Sequence, residues 1–359
     1  MTRVVRLHIG APKTGTTYLQ DRLSRNHASL ADHGVHFPAR TRLADPALFH
    51  FRAALDLLGQ DWGGPSGHAQ GAWSQMARKV KRLEGNVVIS HEILAPAPPE
   101  KISRAMNDLA GSEVHIVYSA RDLVRGLPAA WQESVKQGRQ WRYGRFLERV
   151  QRGDTFFGRA FDLPAVLNNW TRNLPPERIH VVTVPPTGAA HDELWHRFCR
   201  ALDMDPAWAP LDSESSNEGL GLAEAEMLRR LNRRIERTTR RESSYDDVIR
   251  QLVRSGRLLQ RKSRKVELPH ELYPWAAEQS ERWIDWIEGS GVNVIGDLDD
   301  LRPGPVPDRP YHGPDDVKPR AMARASFTAL EVMTEIAASG KEEDLTRKLK
   351  TQADRLRLR

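Results

Sequence analysis

Val4-Val5-Arg6-Leu7-His8-Ile9-Gly10-Ala11-Pro12-Lys13-Thr14-Gly15-Thr16-Thr17-Tyr18-Leu19-Gln20 is the stretch that decides the fold. Val4 to Ile9 is a short β-branched run closed by Gly10 and Pro12, the pattern of a buried parallel strand. Thr16 to Asn26 then has helical spacing, with Tyr18, Leu19 and Leu23 on related faces. A strand, a glycine-bearing loop and a helix follow one another. The junction offers unpaired backbone N–H groups and the positive end of a helix dipole, which suits an anion. Gly15 allows close backbone approach, Thr16 and Thr17 add hydroxyls, and Lys13 adds a point charge. A plain turn with a helix cap is the simpler alternative.

Outward from this unit the same alternation recurs. Strands are expected at Val87 to Ser90, Val114 to Ser119, Ile179 to Val184 and Val292 to Ile295. Helices are expected at 45–59, 72–84, 123–137, 191–202, 222–237, 245–259 and 270–289. The expected class is α/β: a parallel central sheet in three layers with flanking helices, and a helix-rich C-terminal half. Residues 59–71, rich in glycine, read as a long mobile loop, and 59–71 and 138–160 are the segments expected to build a variable binding pocket. The expected organisation is a domain over 1–302, a linker over 303–319 with prolines at 303, 305, 307, 310, 314 and 319, and a helical tail over 320–359 read as two helices.

Composition bounds the rest. The chain has 359 residues, a net charge of +7, 28% charged residues and a single cysteine, Cys199. Its mean hydropathy is −0.58. One cysteine excludes an intrachain disulfide framework and a cysteine-based zinc site. No run approaches the roughly 20 apolar residues that span a bilayer. MTRVVRLHIG lacks a small-residue cleavage site, so a cytoplasmic location is expected.

The loop shares the glycine spacing of a Walker A motif, GxxxxGK[ST], but Thr16 stands where the lysine belongs and Lys13 precedes the second glycine. Pro12-Lys13-Thr14-Gly15-Thr16-Thr17-Tyr18 resembles the 5′-phosphosulfate loop of sulfotransferases that use 3′-phosphoadenosine 5′-phosphosulfate (PAPS). Val114 to Asp122 looks like that family's 3′-phosphate strand, with Arg121 in the anion-binding position and Ser119 beside it. Val87 to Leu94 resembles the strand that delivers the catalytic base, here His91 or Glu92, with His91 preferred because its ordinary pKa lies near neutrality. On a strand these two neighbours would point to opposite faces, so one is expected at the site. Asn217, Leu220 and Gly221, and the Gly296–Pro303 stretch, resemble elements of bacterial sulfotransferase-like proteins. Ala129 departs from the family, which commonly has a serine there. Ser119, Ser134 or another basic residue is the expected compensation.

The resemblance implies sulfuryl transfer from PAPS to a hydroxyl of a small-molecule or carbohydrate acceptor, a P-loop-like nucleotide-binding fold, and no metal. It leaves the acceptor and the oligomeric state open, a homodimer included. The alternatives are a P-loop nucleotide kinase or other NTP-binding enzyme, and a degenerate protein that binds the donor without turnover. Residues 229–241 hold seven arginines and one glutamate. Without a recognition motif or aromatic platform they read as a solvated helix face rather than a nucleic-acid stripe. Trp195, Trp275, Trp283 and Trp286 have helical spacing and are expected in the core; Trp131 is a candidate for lining the acceptor pocket.

Overall fold

The computed structural model describes residues 3–41, 44–214, 219–239, 248–249, 251–253, 257–261 and 263–357. Among the described residues it is an α/β protein with one six-stranded parallel sheet. The strands are β1 (Val4–His8), β2 (Val35–His36), β3 (Asn86–Ser90), β4 (Glu113–Ala120), β5 (Ile179–Thr183) and β6 (Asn293–Ile295), in the spatial order β2-β3-β1-β4-β5-β6. Val5, Leu7, Val88, Ile116 and Val181 are fully buried, as near-continuous apolar strands in a doubly covered sheet must be. Register is fixed on both sides of β1, where His8 lies opposite Ser90 of β3 and Val117 of β4.

Helices α1 (Thr16–Arg25), α2 (His27–Asp32), α3 (Pro46–Leu58), α4 (Ala72–Val80), α5 (Pro99–Asp108), α6 (Leu123–Lys136), α7 (Tyr143–Gln151), α8 (Phe156–Phe161), α9 (Leu163–Trp170) and α10 (Glu193–Leu202) occupy the connections. Leu19 and Leu23 of α1 pack with Trp195, Phe198 and Leu202 of α10 over Val88, Val117 and Val182 of the sheet. Further on come α11 (Leu222–Arg234), α12 (Tyr273–Ser290) and α13 (Pro319–Arg357).

The chain divides into two compact units. The first holds Met1–Trp131, Gly144–Asn217 and Glu267–Tyr311, and so contains the whole sheet. The second holds Gln132–Tyr143, Glu218–Val266 and His312–Arg359. Within it, Glu226 accepts a bidentate pair of bonds from Arg229, both at 2.6 Å, and Glu224 accepts from Arg261 at 2.5 Å. Glu224, Glu226 and Arg229 are buried. Part of the arginine-rich segment therefore faces inward, where a solvated face was expected.

Several expectations change. The tail is one continuous helix, α13, because a single Gly340 costs only about 1 kcal/mol in a helix interior and no proline follows Pro319. Much of 138–160 is helical, in α7 and α8. The 59–71 loop is tethered: Asp56 accepts from the N–H groups of Gly71 and Trp73, and Asp61 from that of Gly67. Trp131 is fully buried and cannot line an open pocket. Asn217 and parts of the expected 245–259 helix lie outside the described residues, and the residues described between 245 and 259 are helical.

The Gly296–Pro303 stretch has a structural reason. Gly296 has φ +119, and a Cβ there would run into Thr183 and Arg197. Asp300 then accepts from the Thr183 hydroxyl at 2.8 Å and pairs with Arg197, while Leu301 is fully buried.

Candidate functional site

The strand order itself locates the site. The chain leaves β1 toward β2 and β3 on one side, and leaves β4 toward β5 and β6 on the other. A crevice therefore opens beyond the C-terminal ends of β1 and β4, the point where open α/β sheets bind ligands. All the side chains that follow belong to the first unit.

The loop after β1 is laced along the end of β4. Ile9 N–H donates to Val117 O at 3.0 Å, Ala11 N–H to Ser119 O at 2.7 Å, and Ser119 N–H to Gly10 O at 2.5 Å. Gly10 lies so close to Glu92 that a Cβ would stand 3.0 Å from both its Cα and its Cβ. The Thr14 hydroxyl donates to Ala11 O at 2.6 Å and fixes the loop's curl. Lys13, at φ 64, and Gly15, at φ 86, are both left-handed. Holding a lysine there costs about 1–3 kcal/mol, a strain that clusters at ligand-binding turns. No side chain caps α1, and no acidic residue sits in its first turn. The helix N-terminus thus keeps its donors for an external acceptor.

Pro12 and Thr16 are buried, Lys13 is half-buried and Thr17 is exposed. Tyr18 turns aside: its hydroxyl accepts from Arg22 at 3.0 Å and donates weakly to Asp192 at 3.4 Å. Ser119 is fully buried, and its hydroxyl meets His8 Nε2 at 3.0 Å. It acts beneath the loop rather than at its open face.

Arg121 follows β4. One guanidinium nitrogen donates to Lys13 O at 3.0 Å, which joins the two loops across the crevice. Its Nε is buried without a partner among the described residues. Burial, followed by the like charge of Arg125, lowers its pKa to about 10, and Asp122 opposes only in part. Asp122 is committed to Arg125, accepting from its backbone N–H at 2.9 Å and from its Nε. A cation is thus held at the sheet edge with its counter-charge unmet.

His91 and Glu92 come together. β3 ends at Ser90, so strand alternation stops before them, and Glu92 opens a 3₁₀ turn over Glu92–Leu94. The His91 Nδ1 to Glu92 Oε2 distance is 3.7 Å. His91 Nδ1 accepts from Ile93 N–H at 3.3 Å, which assigns the ring proton to Nε2. Its ring lies 5.2 Å from that of Phe51. Burial lowers the His91 pKa, and the Glu92 charge opposes it in part. Burial would raise the Glu92 pKa, but His91, Gln20 and Lys13 outweigh it and hold the carboxyl ionised. Lys13 and Glu92 therefore share one electrostatic environment.

Gln20 and His8 are the site residues that the sequence did not single out. Gln20 Nε2 donates to Glu92 Oε2 at 3.2 Å and to the Ser90 hydroxyl at 3.2 Å. His8 is fully buried, with Nδ1 2.8 Å from the Ser90 hydroxyl, and burial pushes its pKa down to about 4. A histidine within an otherwise apolar strand end was the available signal. Among the described residues, His191, Asp192 and Asp212 could group around a metal, but Arg22 donates to Asp192 at 2.8 Å and to Asp212 at 3.3 Å. Their charge is already met.

Comparison of the chain with protein-family models, with curated proteins and with solved structures returns no match.

Proposed function

We propose that the crevice binds PAPS and transfers its sulfuryl group to a hydroxyl acceptor. The observation that carries this reading is Arg121: a half-buried guanidinium whose Nε is buried without a partner among the described residues and which has no carboxylate of its own, joined through Lys13 O to an uncapped helix N-terminus. Such an edge calls for a ligand with two separated anionic groups. On this reading Arg121 takes the 3′-phosphate, and Lys13 with the Thr16 and Thr17 N–H groups takes the 5′-phosphosulfate.

The geometry also supports a division of acid–base roles. His91 Nδ1 is occupied and Nε2 carries the proton, so His91 donates a hydrogen bond. Glu92 is ionised and positioned by Gln20, so it is the better base. The proposal therefore moves the base from His91 to Glu92. The acceptor oxygen attacks sulfur as its proton passes to Glu92. The bond from sulfur to the bridging phosphate oxygen breaks, and Lys13 meets the charge that develops on the departing phosphate. This chain's own cations supply the positive charge, so no step calls on a metal.

The test is calorimetry with 3′-phosphoadenosine 5′-phosphate (PAP) against ADP. Clear preference for PAP supports the reading. Preference for ADP with Mg²⁺ overturns it in favour of an NTP-binding enzyme. Tight PAP binding without sulfate transfer to any of a panel of hydroxyl acceptors would mark a binding protein instead.

A further inference from the structure

A small recess lies behind the loop, lined by Pro12, Thr14, Tyr118, Arg121, Phe161 and Trp283 among others. Its void measures about 10 Å³, room for one water-sized group. Two of its lining residues carry N–H groups that have no hydrogen-bond partner among the described residues. Arg121 Nε is one. Trp283 Nε1 is the other, on a side chain of α12 that is 3% exposed. Buried indole N–H groups ordinarily find an acceptor. Elsewhere in this protein they do so: Trp73 donates to Asp108 at 2.9 Å, and Trp170 to Leu94 O at 3.1 Å. Trp195 Nε1 is also unpaired, but Trp195 sits in the apolar core under α1 and does not border this recess.

Two such donors on residues that line one atom-sized void, one of them cationic, suit a single anionic oxygen. A buried donor left unmet carries a desolvation cost, so an arriving oxygen recovers that cost at both groups. We infer that Trp283 Nε1 and Arg121 Nε together hold one oxygen of the ligand's 3′-phosphate, so that Trp283, read from its spacing as a core residue, selects for 3′-phosphorylated nucleotides. This rests on the PAPS reading above. It also gives the site a second donor where Ala129 offers no hydroxyl.

The experiment is calorimetry of the wild type and Trp283→Phe with PAP and with adenosine 5′-monophosphate, which lacks the 3′-phosphate. Phenylalanine keeps most of the ring and removes only the donor. PAP should bind W283F about 10- to 100-fold more weakly, with adenosine 5′-monophosphate unchanged. Unchanged PAP affinity, or an equal loss for both ligands, overturns the inference while the PAPS reading stands. If the wild type does not prefer PAP to adenosine 5′-monophosphate, the PAPS reading falls and the inference with it. A crystal structure of the wild-type PAP complex tests the same point without a variant. A 3′-phosphate oxygen within hydrogen-bond distance of Trp283 Nε1 supports the inference, and a 3′-phosphate seated elsewhere overturns it.

Discussion

Arg121→Met separates a ligand-binding arginine from a structural one, because the two roles predict opposite balances. Methionine keeps the length and apolar stem and removes the charge. In the ligand-free protein the variant loses the bond to Lys13 O, worth roughly 1–2 kcal/mol. It also escapes the cost of burying an unmet cation. The fall in pKa from the ordinary arginine range to about 10 corresponds to roughly 3 kcal/mol against the charged form, present in full at neutral pH. The two effects nearly cancel, so R121M should unfold within about 2 kcal/mol of the wild type in urea. Ligand affinity has no such compensation. Loss of charge-assisted bonds from Nε and the guanidinium head should weaken PAP by roughly 3–4 kcal/mol, a 10²- to 10³-fold rise in Kd by calorimetry. A variant that binds PAP normally but loses more than about 3 kcal/mol of stability would refute the reasoning and return Arg121 to a structural role.

Glu92→Gln should lower kcat about 10²- to 10⁴-fold with PAP affinity little changed, whereas His91→Gln should cost less; the reverse ranking in steady-state kinetics would restore His91 as the base. Stability should fall with acid through His8. Its pKa is depressed to about 4 in the folded protein, so the unfolded chain binds the extra proton between about pH 6.5 and 4, and stability present above 6.5 is lost across that window. The loss from His8 is roughly 3 kcal/mol, and a His8→Gln variant should show a flatter profile of urea midpoint against pH; an identical profile would exclude His8 as its source. Gly15→Ala should destabilise by about 1–3 kcal/mol from its left-handed φ, and further from a Cβ only 2.5 Å from Leu194 Cδ2. Adding Leu194→Ala should relieve the contact and leave the φ cost, and a wild-type midpoint for the single variant would contradict both.

The central strands were legible because parallel strands are largely apolar runs, and β1, β3, β4 and β5 all are, with Gly10, Gly85, Gly111 and Pro185 close to an end of each. The edge strand β2 was not, since two residues carry no period. The pairing that positions the base was also invisible. Gln20 and Glu92 lie 72 residues apart, and His8 meets Ser90 and Ser119 only through the register of three strands. Periodicity fixes which face a residue takes within its own strand and says nothing of its partner across the sheet. The alternation argument for His91 and Glu92 does not apply for a local reason: β3 ends at Ser90, and Glu92 already opens a 3₁₀ turn.

Charge taken one arginine at a time sharpens the same point. Arg22 faces Asp192 and Asp212, Arg197 faces Glu193 and Asp300, Arg229 faces Glu226, and Arg261 faces Glu224. Arg6 has no carboxylate in contact, yet two imidazoles accept its N–H bonds: His115 Nδ1 at 2.9 Å and His180 Nε2 at 3.0 Å. Arg121 differs from all of these. Like Arg6 and Arg22 it has a buried Nε with no partner among the described residues, but the carboxylate beside it belongs to Arg125 and its one hydrogen-bond partner among the described residues is a neutral carbonyl. A fold that supplies a carboxylate or an imidazole to each of the other arginines named, and only a carbonyl to Arg121 at the crevice where the connections from β1 and β4 diverge, leaves a local charge suited to an arriving anion. The excess of +7 over the whole chain therefore says less about function than this one guanidinium.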